Sequence, residues 1–154
     1  MDNRDLLDTF YKGFNKANAE EMVSCYHEEI IFQDPAFGTL HGSQAKNMWR
    51  MLLSRNSSIK ISYQIVACDE NQGKVDWIAR YTFGPKKRSI INKVTGDFKF
   101  RDGKIISHED SFDLWKWSRQ AMGPIGYFLG WSNLLKTSIQ KKTNKLLTSF
   151  SEKQ

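Results

Sequence analysis

The 154-residue chain has only two cysteines, three prolines and three histidines, and no apolar run long enough to cross a membrane. Each scarcity removes a class of function. Cys25 and Cys68 stand far apart at neither a redox nor a metal-ligand spacing, so both read as small buried residues in a reduced compartment. No set of His, Cys and acidic residues has metal-ligand spacing, and no glycine-rich loop follows a strand. Neither a metal nor a nucleotide cofactor is therefore expected. Nucleic-acid reading motifs, internal repeats and low-complexity linkers are missing as well, which predicts one domain without a nucleic-acid partner. The opening Met1-Asp2-Asn3-Arg4-Asp5 is too polar for a secretory signal, so a cytoplasmic protein is expected.

Aromatic residues are plentiful: five Trp, five Tyr and ten Phe supply bulk for a core or for a cavity wall. Charge is unevenly placed. Residues 1–40 carry three Lys and Arg against eight Asp and Glu, whereas residues 116–154 carry seven against Glu152 alone. A basic tail of this kind is either a solvated helix face or an attractor of phosphates and anionic surfaces.

Periodicity divides the chain. Leu6, Leu7, Phe10, Tyr11 and Phe14 recur at helical spacing over 4–17, and a short helix is expected over 19–26 with Asn18 as its cap. Ile30 to Gln33 read as a short strand. Ala45, Met48, Trp49 and Leu52 mark a helix over 43–54, capped by Ser43. After Ser58 the period becomes two, through Ile59–Ile65, Val75–Phe83 and Val94–Phe100, with turn chemistry at Asn71-Gln72-Gly73, Gly84-Pro85 and Asp102-Gly103. Helices followed by a meander of strands predict an α+β domain with helices packed on one face of a curved antiparallel sheet.

Two places carry chemistry. In Phe32-Gln33-Asp34-Pro35-Ala36-Phe37-Gly38, an acid ends an apolar strand and proline stops it. Asp34 is either a turn cap or a carboxylate desolvated enough to act as a base. The last strand, expected over about 104–116, puts Ile106, His108, Asp110, Phe112 and Leu114 on one face. Ionisable groups among apolar neighbours must be paired, neutralised or turned to a cavity, so His108 and Asp110 are either a structural pair or the wall of an internal pocket. Trp77 and Tyr81 share the inward face of their strand, as core or as the wall of a site for a flat apolar ligand. Phe10, Phe98, Phe112 and Trp49 complete the expected ligand-contacting set; His27 reads as a surface residue and His41 as loop structure.

The order Tyr26-His27-Glu28-Glu29, Phe32-Gln33-Asp34-Pro35, His41-Gly42, Asp102-Gly103-Lys104-Ile105 and His108-Glu109-Asp110-Ser111-Phe112-Asp113 resembles the nuclear transport factor 2-like superfamily over roughly residues 4–117. That superfamily includes ketosteroid isomerases and SnoaL-type polyketide cyclases. The stretch from Trp117 to Trp131 resembles a tail found in a bacterial branch of it. The resemblance implies a cone over residues 1–132, a bent sheet wrapped around helices and open at one end onto a pocket. Residues 133–154 add a basic amphipathic helix to the same domain. It also implies a homodimer.

Residue by residue, Asp34 matches the proton-shuttling base of the isomerases, while their oxyanion tyrosine falls on Phe10 and their second oxyanion acid near Gly96. Asp110 matches the acid/base of SnoaL-type cyclases, with His108 two residues before it. The Arg and Asp that epoxide hydrolases of the superfamily place on an earlier strand fall at Ala79 and Tyr81. The expected function is a cofactor-independent acid–base enzyme, of isomerase or cyclase type, on a hydrophobic carbonyl or polycyclic compound. Asp110 would be its acid/base, His108 the partner and Asp34 a second proton acceptor. Two alternatives stand beside it: a non-catalytic carrier of an apolar small molecule, and a structural dimerisation module. The 133–154 helix would dock on the domain or a second subunit, or touch a lipid surface. The glycine-rich Gly123–Gly130 stretch reads as a lid.

Overall fold

A computed structural model describes residues 1–56, 58–123 and 133–153; the expected lid lies outside them apart from Gly123. The chain begins with α1 (Asn3–Asn15), started by a capping box in which Asp2 accepts from the Asp5 amide at 2.8 Å and Asp5 reaches back to the Asp2 amide. Its buried face is Leu6, Leu7, Phe10, Tyr11 and Phe14, as the spacing predicts. A second helix, α2 (Ala19–Val23), carries Asn18 as its cap but ends sooner than expected, because β1 (Tyr26–Asp34) already begins at Tyr26. β2 (Gly38–His41) and α3 (Ser43–Arg55) follow. The α3 N-cap is Gly42, with no side-chain cap; Ser43 is the first helical residue rather than the cap.

β3 (Lys60–Cys68), β4 (Gln72–Phe83), β5 (Arg88–Arg101) and β6 (Lys104–Ser111) form the expected meander. Asp102 and Gly103 both take positive φ (53° and 72°) in the β5–β6 turn, the backbone that an Asp-Gly hairpin favours. The six strands make one curved, unclosed sheet in the order β2-β1-β6-β5-β4-β3. It is antiparallel except where β1 runs parallel to β6, a pairing that extends β1 well beyond the expected Ile30–Gln33.

Strand register sets the inner face. Gly96 lies opposite Asp110 and Phe98 opposite His108, while on the other side Phe32 lies opposite His108. A bulge in β6 lets Phe100 pair with Ile105 and Lys99 with Ser107, so Ile105 is buried and Ile106 is the extra residue. The inward position expected for Ile106 therefore belongs to Ile105.

The last strand is shorter than its alternation suggests. It ends at Ser111, because Asp113 accepts from the Lys116 amide at 3.0 Å and starts α4 (Leu114–Met122). Leu114 and Trp115 are thus helical, and Phe112 lies in the link, half-buried against the core. α4 covers the edge of β5 that β6 leaves open. The Gln120 amide donates to the Ile91 carbonyl at 3.1 Å, and its oxygen accepts from the Ile91 N–H at 2.7 Å.

The final helix, α5 (Asn133–Glu152), packs against α3 with Leu147 buried, which realises the docked arrangement expected of it; Lys136, Lys141, Lys142 and Lys145 are exposed. No helix among the described residues is long and apolar enough to cross a membrane. Cys25 is buried and Cys68 half-buried, both as free thiols.

At Gly96, α1 and β6 both crowd the inner face of β5. A Cβ there would stand 2.9 Å from Cε2 of Phe98, 3.0 Å from Oδ1 of Asp110 and 3.1 Å from the Tyr11 hydroxyl. Gly96→Ala should destabilise the fold by about 1–3 kcal/mol in urea unfolding, because ring and carboxylate cannot both retreat within a packed core. An unchanged midpoint would mean that this contact yields freely.

Candidate active site

Five side chains form one hydrogen-bonded line through the core. The Trp49 indole donates to the Tyr26 hydroxyl at 2.8 Å, and that hydroxyl lies 2.7 Å from Nδ1 of His108. Nε2 of His108 lies 2.8 Å from Oδ1 of Asp110, which also accepts from the Trp77 indole at 3.4 Å. An indole N–H can only donate. The Tyr26 oxygen is therefore the acceptor from Trp49; in the tautomer with the His108 proton on Nε2, the Tyr26 hydroxyl donates to Nδ1 and His108 donates to Asp110. Every donor points toward the same carboxylate. Both contacts fall on Oδ1, and Oδ2 is in neither of them.

The neighbourhood explains why the line must be complete. His108 is 1% exposed and Asp110 4%, so any unpaired polar atom would carry the full cost of lost water. Phe98 stacks on the His108 ring at 4.2 Å between centroids. Phe10 and Phe32 meet it edge-on at 5.5 and 5.1 Å, and Trp49 lies parallel to it at 6.1 Å. Of the expected ligand-contacting residues, Phe10, Phe98 and Trp49 thus turn toward the histidine, and Trp77 toward Asp110. Burial, opposed by the bond from Trp49, holds the Tyr26 phenol well above its ordinary range, so it keeps its proton.

Tyr11 is the exception to this economy. Its hydroxyl is fully buried yet has no hydrogen-bond partner among the described residues, while its ring stacks on Tyr63 at 5.0 Å. Burial, together with the nearby charge of Asp110, pushes its phenol well above the ordinary range. The hydroxyl and Oδ1 of Asp110 converge over Gly96. Helical spacing marks Tyr11 as an apolar position of α1, and its hydroxyl, like that of Tyr81, reads as a donor that could act only from a different direction than the missing one at Phe10. Tyr26 reads as part of a motif, and nothing in the sequence pairs either Tyr11 or Tyr26 with β6.

Asp34 ends β1 on the same side of the sheet. Its Oδ1 accepts from the Phe37 amide at 2.6 Å and the Ala36 amide at 2.9 Å, so the capping role expected of it is realised. Burial nonetheless pushes its carboxyl up to about 7; the two amides oppose that rise, and the charge of Asp110 adds to it. Tyr81, half-buried, accepts from the Trp117 indole at 2.8 Å and feels the charge of Asp34. Asp34, Asp110, Tyr26 and Tyr81 therefore share one electrostatic region; Phe112, in the link after β6, packs against the core. The two remaining histidines stand apart. His27 is a half-buried strand residue 3.4 Å from Asp102, and His41 is exposed on β2. Among the described residues, no three His, Cys, Asp or Glu side chains converge as a metal site.

Asp34 gives the site a stability signature. Because its folded-state value lies above the usual carboxylate value, the folded form holds a proton that the unfolded form releases. That contribution is complete below about pH 4 and lost as pH rises through about 7. Asp34→Asn keeps an oxygen for the two amides but cannot ionise. Its stability relative to wild type should rise by about 1–3 kcal/mol between pH 5 and pH 8 in paired urea titrations. A pH-independent difference would contradict the desolvation of Asp34.

The same architecture recurs in solved structures. A nuclear transport factor 2-like protein of unknown function from Burkholderia pseudomallei aligns over 78% of this chain and 97% of its own, with 16% identity and a TM-score of 0.68. A candidate polyketide cyclase from a Silicibacter species aligns over 77% and 93%, also with 16% identity and a TM-score of 0.68. SalBIII, an epoxide hydrolase/cyclase-like enzyme with a role in pyran ring formation in the polyether salinomycin, aligns over 71% and 88%, with 14% identity and a TM-score of 0.62. At these identities the likeness speaks for the fold. No curated protein matches the sequence. The SnoaL-like domain model matches residues 7–108, which carry most of α1 together with Tyr26, Asp34, Trp49, Trp77 and His108, and the chain belongs to that SnoaL-like family.

Proposed function

We propose that the protein is an acid–base enzyme of cyclase or isomerase type acting on a small hydrophobic carbonyl compound, with Asp110 as its proton acceptor. The observation that carries this reading is the convergence over Gly96 of the Asp110 carboxylate and the unpartnered Tyr11 hydroxyl. A structural network satisfies its own polar atoms, whereas this one leaves a buried donor unused beside a base.

In this reading Asp110 takes a proton from the carbon next to the substrate carbonyl. The Tyr11 hydroxyl donates to the oxygen on which negative charge develops. This supplies the donor missing at Phe10, from the next position of α1. Trp77 and His108, the latter held by Tyr26 and Trp49, fix the carboxylate so that it need not reorganise during the step. Asp34, whose carboxyl sits at about 7, is poised to return a proton at neutral pH. Tyr81 borders the same region and suits an apolar substrate. The neighbours of this fold that are named as cyclases support the reaction class.

The test needs no knowledge of the natural substrate. A panel of hydrophobic polycyclic ketones and 1,3-diketones is incubated with the protein in D2O, and deuterium uptake next to the carbonyl is followed by mass spectrometry. Wild type should accelerate exchange of at least one member, and Asp110→Asn should lower that rate by about 10²–10⁴-fold. Tyr11→Phe should raise stability by about 1 kcal/mol, having removed an unsatisfied buried hydroxyl, while lowering the exchange rate. Asp110→Asn exchanging at the wild-type rate would sink the assignment. A Tyr11→Phe variant that is both more stable and fully active would make Tyr11 a mere packing residue.

A further inference from the structure

The α5 helix lies wholly outside the matched 7–108 region, yet its side chains reach the turn that follows Asp34. Gln140 donates to the Pro35 carbonyl at 3.0 Å, Thr143 to the Ala36 carbonyl at 2.7 Å and Asn144 to the Phe37 carbonyl at 2.8 Å. Positions i, i+3 and i+4 share one helix face, so three consecutive carbonyls meet three consecutive side chains of a single stripe. These are long-range contacts, more than a hundred residues apart in the chain.

Peptide planarity gives the contacts their meaning. The Pro35 carbonyl and the Ala36 N–H belong to one rigid plane, and the Ala36 carbonyl and the Phe37 N–H to the next. In both planes the carbonyl faces α5 while the N–H faces Oδ1 of Asp34, at 2.9 and 2.6 Å. Turning either carbonyl turns the amide that holds the carboxylate. Asn144 acts on the following plane, whose N–H belongs to Gly38, the ladder partner of Asp34 in β2, and is not one of the two amides on the Asp34 carboxylate. The stripe therefore contains two residues coupled to the acid and one built-in control.

We propose that Gln140 and Thr143 are positioning residues of the active site: through the two peptide planes after Asp34 they set how strongly the turn stabilises its ionised carboxylate. The proposal rests on the reading of Asp34 as a working acid–base group, but its test needs no substrate. Amide bonds to the charged form oppose the upward push of burial, so loosening them should raise the Asp34 midpoint further. The groups that share its electrostatic region are Asp110 on β6, Tyr26 on β1 and Tyr81 on β4. These remain in place, as do the exposed Lys141, Lys142 and Lys145 on α5.

The experiment follows the side-chain carboxyl carbon of Asp34 by NMR across pH in the full chain with labelled aspartate, with Asp34→Asn identifying the resonance. Thr143→Val and Gln140→Met, both close in volume to the native residue, should each raise the midpoint by about 0.5–1 unit. Thr143→Ser should restore it, and Asn144→Ala should leave it unchanged. If Thr143→Val undocks the helix, Gln140→Met reads the same effect through the neighbouring plane. Midpoints that stay put would overturn the proposal, and falling midpoints would overturn it by showing that α5 acts only by excluding water. An equal rise in Asn144→Ala would reduce the stripe to general packing and overturn it as well. Midpoints that rise as expected in a protein whose wild type exchanges no deuterium would count against the reaction rather than the stripe.

Discussion

Much of this molecule follows from one constraint: a carboxylate, Asp110, stands inside an aromatic core and has to be solvated there by protein. Two N–H groups do so, from His108 and Trp77, and each commits further structure. His108, which meets Asp110 through Nε2, is met in turn at Nδ1 by the Tyr26 hydroxyl. That hydroxyl in turn accepts from Trp49 on α3. Three strands and one helix are thereby tied to a single charge. The parallel β1–β6 pairing is part of the same arrangement, because it brings the strand that carries Tyr26 alongside the one that carries His108. An apolar core could form with many side-chain arrangements; a directional line of donors admits few.

The alternation of His108 and Asp110 with outward residues was legible in the sequence, and so was the demand that two inward ionisable groups be partnered. Who the partners are was not. Tyr26 lies 82 residues before His108, and its role depends on a parallel pairing that no local pattern announces. Alternation also overstated the last strand. Phe112 and Leu114 continue the period of two, but the Asp113 cap decides for a helix, since a side-chain bond to the Lys116 amide satisfies backbone that a strand end would leave open. The exchange of Ile106 for Ile105 has a similar origin: a bulge shifts register by one residue and so reverses which neighbour faces inward. The cap at Asp34 was legible, and the amides that form it do not cancel the burial that pushes its carboxyl up.

The family region and the terminal helix divide the work around Asp34. Residues 7–108 supply the strand that ends at the acid and the tyrosines around it, and Asp110, two residues past that region, supplies the neighbouring charge. The turn after Asp34 is half-buried, and its three carbonyls would otherwise compete for water. α5 satisfies them with Gln, Thr and Asn, not with apolar side chains, although Leu147 anchors the same helix in the core. Composition alone made this segment a basic amphipathic helix, and its lysines do face solvent. Its functional face is the uncharged polar stripe, which a count of charges overlooks.

Asp34 and Asp110 are the same residue type in one electrostatic region, yet their surroundings differ in kind. Asp110 receives N–H donors from side chains across the core, whereas Asp34, among the described residues, receives backbone amides of its own turn and bears the repulsion of Asp110 besides. Two carboxylates held in unlike environments can divide an acid–base task, one accepting the proton while the other keeps its own. The unused hydroxyl of Tyr11 fits that division. A buried donor without a partner costs about 1–3 kcal/mol, a cost that apolar packing at the same position would avoid. A site that must meet charge developing on a substrate oxygen has reason to retain it, and it lies on the Asp110 side of the pair, where the proton would be removed.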